Sequence, residues 1–305
     1  MLKQRLGPVF AAFLALWACA PAMAAPQVVV TIRPLHSLTA QVMQGVGEPD
    51  LLLTSAASPH SYAMRPSDAL ALNRADLVIW TGEAMETFLL RLLPRLTGQT
   101  TVLTAVDAPG LTLLPVRPVD GDDGHEDEED HESGLPDAHI WLDPENARAL
   151  LPAIADALAD IDPANAATYR ANAADAARRL EALKADIARE LALERDKPYI
   201  AAHDAYQYFE RAFGLSYGGA VTAHPGRPPS ARHMLDMTQA IRERHIACLL
   251  TEPGNRPALI EHLAGEEGMR LEEADPLGLT LTPGPALYEQ MMHRLADSFK
   301  TCLGG

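Results

Sequence analysis

Gln27-Val28-Val29-Val30-Thr31-Ile32, cut off by Arg33-Pro34, is the stretch that decides the fold. β-Branched side chains are stiff at χ1 and suit a pleated sheet, so the run reads as a strand. Pro34 has its φ preset for a first helical turn and opens a helix through Val42, with Gly45 and Gly47 closing it. The alternation continues outward. Asp50 to Leu53 is a second strand leading into Ser58-Pro59-His60, and Pro66 to Asn73 is a helix. Leu77-Val78-Ile79-Trp80 is a strand with no polar position, and a strand apolar on both faces belongs to a parallel sheet covered by helices on each side. Past residue 194 the pattern resumes: strand Pro198 to Ala202 ending at His203, helix Tyr206 to Phe213, and strand Ile246 to Leu250 ending at Thr251-Glu252-Pro253. A short strand ends at Glu273-Ala274-Asp275-Pro276, and Ala286 to Phe299 is the last helix.

Two stretches interrupt this rhythm. Residues 119–134, VDGDDGHEDEEDHESG, carry nine acidic residues, the histidines His125 and His131, three glycines and no apolar side chain after Val119. Such a segment cannot bury enough surface to fold alone and reads as a loop. From Pro163 to about Leu193 the chain is alanine-rich, with Leu180, Leu183, Ile187 and Leu191 at helical spacing and Asp162 as N-cap. A helix of about 30 residues spans roughly 45 Å, more than one small domain needs. The expected protein is therefore α/β, with two lobes, each a parallel sheet flanked by helices, joined by one long rigid helix. The N-terminal lobe takes residues 25–162, the connecting helix 163–194 and the C-terminal lobe 195–305.

Residues 1–24 read as a signal peptide. Lys3 and Arg5 precede the apolar run Val9 to Ala20, and Ala22-Met23-Ala24 offers the small-x-small cleavage pattern. The run falls short of the roughly 20 apolar residues a membrane helix needs. Leu16-Trp17-Ala18-Cys19 resembles a lipoprotein box, so lipid anchoring at Cys19 is a minor alternative to a soluble exported product. Export leaves Cys248 and Cys302 as an even pair in an oxidising compartment. Free thiols and a two-thiolate metal site are the alternatives, but neither cysteine lies in a CxxC or near a histidine ladder, which favours a disulfide. Closing that loop would contribute roughly 4 kcal/mol in the chain-entropy account.

The formal charge is −16, two units more negative once Lys3 and Arg5 are removed. A nucleic-acid partner calls for a basic stripe, which this composition does not supply. Three histidines stand where ligands collect in open α/β sheets, outside the carboxyl ends of strands. His60 follows the second strand, His139 the acidic stretch, and His203 ends the strand that opens the second lobe. Imidazole suits zinc and its borderline neighbours. By spacing alone, a metal site and three capping histidines are equally good readings. His36, His233, His245, His262 and His293 read as solvated or edge residues, and His224 lies in the Pro-Gly-rich loop 223–230.

The segments around the three histidines resolve that choice. Ser58-Pro59-His60-Ser61-Tyr62 with Arg65-Pro66-Ser67-Asp68, then Ala75-Asp76-Leu77-Val78-Ile79-Trp80, resembles the first ligand segment of the cluster A-I solute-binding proteins. Asp137-Ala138-His139-Ile140-Trp141-Leu142-Asp143-Pro144 is similar to the second, and Ala202-His203-Asp204-Ala205-Tyr206 with Tyr208-Phe209 to the third. Thr251-Glu252-Pro253 and Asp275-Pro276-Leu277-Gly278 resemble two later motifs of the same family. The resemblance implies a periplasmic component that binds a metal and passes it to the membrane permease of an ABC transporter, working as a monomer and not as an enzyme. Within the family it points to the zinc branch. His203 stands where manganese-type relatives place a carboxylate, an acidic His-bearing insert precedes His139, and the cysteine pair resembles that branch's disulfide.

The implied zinc ligands are His60, His139 and His203, with Asp275 as the candidate fourth. Pro59 before the first histidine removes an acidic side chain from that place, and Glu252 reads as capping backbone amides near Pro253 as readily as binding metal. His125 and His131 form a possible weak metal loop, against the plainer reading of a solvated insert that gathers counterions. Affinity is expected to fall with pH through the histidine range near 6.5. The long helix argues against a wide hinge motion. Two rival functions remain in view: a manganese or iron binder of the same fold, and a zinc hydrolase, for which Glu252 is the only nameable base and no HExxH element is present.

Overall fold

The computed structural model describes residues 25–55, 58–96, 100–117, 134–222, 228–254 and 258–304. The expected signal peptide 1–24, most of the acidic stretch with His125 and His131, and His224 lie outside the described residues.

Two four-stranded, all-parallel sheets form the lobes. The N-terminal sheet joins β1 (Val28–Val30), β2 (Asp50–Leu51), β3 (Leu77–Trp80) and β4 (Thr101–Thr104) in the order β2-β1-β3-β4. The C-terminal sheet joins β5 (Pro198–His203), β6 (Ser216–Thr222), β7 (Cys248–Thr251) and β8 (Arg270–Glu273) in the matching order β6-β5-β7-β8. Helix α1 (Arg33–Val42) follows β1 with Pro34 in its first turn, and α2 (Pro66–Arg74) precedes β3. Asp68 closes the start of α2 by accepting from Arg65 N at 2.7 Å.

The expected helix over 163–194 takes a more exact form. Pro163–Asn165 is a separate 3-10 turn, and the α-helix that follows it spans Ala166–Glu190. It is preceded by Pro144–Ile161, a helix the spacing did not reveal because Pro152 interrupts it. These are α3 (Pro144–Ile161) and α4 (Ala166–Glu190). Buried Tyr169, Ala173, Ala176, Leu180, Leu183 and Ile187 place one stripe of α4 in the core. The rod touches both lobes. Asn172 donates to Val42 O and Gln44 O, while Arg179 reaches Gln41 on α1 and Glu289 on α8 (Leu287–Leu303). From the C-terminal side, the loop before α8 receives α1: Ser37 and Gln41 donate to Pro285 O, and Arg33 to Leu281 O.

One apolar cluster runs through both lobes, from Val29 and Leu38 through Trp141, Leu180 and Phe209 to Tyr288 and Phe299. A smaller cluster on the outer face of the C-terminal sheet packs Ile200, Val221 and Leu249 against Met237 and Ile241 of α6 (Ala231–Arg244) and Ile260 and Leu263 of α7 (Ala258–Glu266). Strand β6 escaped the sequence reading for a physical reason. Its register shifts opposite Tyr199/Ile200, where Gly218 lies so close that a Cβ would sit 2.4 Å from Tyr199 O. Helix α5 (Gln207–Phe213) ends on Gly214 at φ 71°. Cys248 at the start of β7 is disulfide-bonded to Cys302 near the end of α8, tying the last helix to the sheet.

Candidate metal centre

Each of the three histidines is held by a different local device. His60 lies in the 3-10 turn Pro59–Ser61, entered through Pro59 after β2. His139 precedes the turn Ile140–Leu142, whose Trp141 is fully buried and donates to Pro276 O. His203 is the last residue of β5 and is only 3% exposed.

The fold brings the three imidazoles together. Ring centroids of His60 lie 5.5 Å from those of His139 and His203, and His139 and His203 are 5.2 Å apart. One nitrogen from each ring lies within 4.8 Å of the other two. Carboxylates stand behind two of the rings. Asp137 Oδ1 accepts from His139 Nδ1 at 2.7 Å and from His139 N at 2.9 Å, and Glu252 Oε1 accepts from His203 Nδ1 at 2.8 Å. A proton fixed on Nδ1 leaves Nε2 as the basic nitrogen, the arrangement in which a ligand histidine is oriented by its outer partner. The His203 Nε2 atom is buried with no hydrogen-bond partner among the described residues, an expensive state for a polar atom unless something else binds it.

Charge at the site follows from these contacts. Burial lowers the basicity of His139, but the carboxylates of Asp137, Glu252 and Asp204, Asp137 foremost, together outweigh it and leave the imidazole above its ordinary value. Burial pushes the Glu252 carboxyl up, and the His203 and His139 rings together outweigh that and hold it below the usual range. Three imidazoles backed by two carboxylates form a soft nitrogen set that fits a zinc-class cation.

The other expected site residues fall elsewhere. Asp275 is not in the cluster: one oxygen accepts from Leu277 N at 3.2 Å, the other from Thr280 N at 3.0 Å and the Thr280 hydroxyl, so the carboxylate ties its own turn. Glu252, read as capping backbone amides as readily as binding metal, faces the His203 ring. His233, expected at the surface, is buried with Nε2 2.9 Å from Ala220 O, because α6 presents that face to β6. Asp137 was not singled out, although its place two residues before His139 in the second segment was the available signal.

The sequence matches the family described as zinc-uptake complex component A, periplasmic (ZnuA) over residues 28–302. The high-affinity zinc uptake system protein ZnuA of Brucella abortus is 38% identical over 310 residues, covering 90% of this chain and 91% of that protein. Its namesake in Paracoccus denitrificans is 35% identical over 301 residues, with 92% of each covered. Among solved structures, a crystal structure of ZnuA superposes with a TM-score of 0.78 at 23% identity, over 92% of this chain and 99% of that one. A Zn(II)-bound mutant variant of AdcAII from Streptococcus pneumoniae does so with a TM-score of 0.74 at 25% identity, over 91% and 99%.

Proposed function

The chain belongs to the ZnuA family of periplasmic zinc-uptake components, and from that premise we propose that His60, His139 and His203 are the residues with which it captures its cargo. It is a high-affinity zinc-binding protein that collects Zn²⁺ in the periplasm and delivers it to the permease of an ABC transporter. The observation that carries the ligand assignment is the convergence of three imidazole nitrogens within 4.8 Å, two of the rings being oriented by carboxylates, the buried Asp137 and the partly buried Glu252.

Capture needs no reaction step. Asp137 and Glu252 keep the protons of His139 and His203 on Nδ1, so the facing nitrogens meet the ion as neutral donors. Three protein ligands leave a tetrahedral cation one position for solvent, which suits a cargo that has to be released. Glu252, the only base the sequence offered a hydrolase, is engaged with His203, and this supports a binding protein over an enzyme. The family resemblance supports a monomer, the acidic composition speaks against nucleic-acid contacts, and the N-terminal pattern supports maturation by loss of residues 1–24. Residues 25–162 and 195–305 act as the two lobes that 163–194 hold in place, and His125 and His131 as an auxiliary, weaker zinc loop. No helix among the described residues is long and apolar enough to cross a membrane.

Calorimetric titration of the mature protein tests the reading. One tight zinc per chain is expected, with a second, weaker phase that disappears when residues 120–133 are deleted. Manganese displacing zinc at equal concentration would contradict it.

A further inference from the structure

Residues 111–117 leave the N-terminal lobe and run beside residues 134–139. Pro115 bridges Pro136 in antiparallel fashion, and Asp137 N donates to Leu114 O at 2.8 Å. The Tyr208 hydroxyl locks this stem from the C-terminal lobe, accepting from Leu114 N at 3.0 Å and donating to Asp137 O at 2.8 Å. At its end Arg117 reaches across to the C-terminal lobe. The guanidinium donates to Asp204 through Nε at 3.0 Å and through Nη2 at 2.5 Å, and to Glu210 through Nη1 at 2.7 Å and Nη2 at 3.3 Å. It also lies 3.6 Å from the centroid of the Tyr217 ring. Both carboxylates are buried, with side chains 8% and 7% exposed, and Tyr199 donates its hydroxyl to Glu210.

The position of this clasp gives it meaning. Asp204 is the residue after His203, and its N–H is held by Thr222 O at 3.1 Å. Asp137, paired into the stem that Arg117 ends, holds His139. One side chain therefore joins the backbone beside one imidazole to the stem behind another. The same bidentate contact occupies both oxygens of Asp204, the residue beside the ligand-bearing end of β5. A planar guanidinium can give two carboxylates two hydrogen bonds each, as Arg117 does, whereas a lysine ammonium has three donors and no fixed fork.

We propose that Arg117 is a positioning residue for zinc capture, fixing the separation of His139 and His203 and keeping the Asp204 carboxylate out of the metal's coordination sphere. The inference rests on the three-histidine reading. Removing Arg117 alone would leave two buried carboxylates uncompensated and could cost the fold itself. Two variants avoid this: Arg117→Lys, which keeps the charge and loses the fork, and the triple Arg117→Gln/Asp204→Asn/Glu210→Gln, which neutralises the whole network. Each is compared with the full mature chain by zinc–chelator competition and by the visible spectrum of its Co²⁺ form, with a thermal melt to show a folded protein. Zinc affinity should drop about 10-fold or more in both, as when partners of metal ligands are removed, and the Co²⁺ bands should shift. Wild-type affinity with an unchanged spectrum in either folded variant overturns the inference and leaves the three-histidine site standing. A wild-type chain that takes up no zinc would overturn both.

Discussion

In the N-terminal lobe Glu86, in the turn after β3, is fully buried and accepts from backbone and hydroxyl donors. It accepts from Thr81 N at 2.9 Å and Gly82 N at 3.1 Å, and from the Thr31 hydroxyl beyond β1. In the C-terminal lobe the acid after the equivalent strand β7, Glu252, faces His203. Their ionisation diverges accordingly. Burial outweighs every hydrogen bond at Glu86 and pushes its pKa up to about 7, whereas the histidines around Glu252 hold that carboxylate below its usual range. Equal topology thus ends in unequal chemistry: an acid after β3 closes its own loop, and an acid after β7 orients the His203 imidazole.

Changes confined to one lobe sharpen this contrast. The largest effect is expected from Cys248→Ser/Cys302→Ser, because the bridge between residues 54 positions apart lies wholly in the C-terminal lobe. Chemical denaturation should show a loss of about 4 kcal/mol from restored loop entropy; an unchanged midpoint would mean the C-terminal lobe does not depend on its bridge. Next comes His203→Ala, which should weaken zinc by more than about 100-fold, beyond the range typical of outer partners. Asp137→Asn and Glu252→Gln should each cost about 10–100-fold in the same competition assay. If only one of them does, the two carboxylates are not equivalent supports.

Acidity separates the lobes in a different way. Zinc uptake should weaken as pH falls through about 6.5, as protons take the ligand nitrogens, and the upward shift of His139 starts that loss at a higher pH. The stability of the N-terminal lobe moves in the opposite sense. Glu86 has a folded pKa of about 7 against an ordinary 4.5, so its protonated form favours folding below 4.5, and that contribution is lost as pH rises towards 7. Relative to Glu86→Gln, the wild type should lose about 1.4 kcal/mol per pH unit across that window. Parallel melting curves for the two proteins from pH 5 to 7 would contradict the assignment.

Much of this was legible in the sequence because it is local. Val28–Val30 and Leu77–Trp80 announce buried parallel strands by being apolar throughout, and His60, His139 and His203 each sit in a segment that resembles a ligand motif. What stayed hidden depends on contacts across the chain. β6 looks like a glycine-rich loop until Gly218 is seen against Tyr199 O, and His233 looks solvated until α6 turns it towards Ala220. Asp275 sits in a plausible ligand motif, yet the turn to Thr280 claims both its oxygens. Arg117 carried no signal of its own, since Asp204 and Glu210 lie 87 and 93 positions away.

In the proposed site one zinc ion is held by imidazoles from both lobes. Anomalous diffraction at the zinc edge from crystals of the loaded protein tests it most directly. A single strong peak is expected about 2.0–2.1 Å from a nitrogen of each of His60, His139 and His203. A peak bound by Asp275, or one that misses any of the three rings, would contradict it.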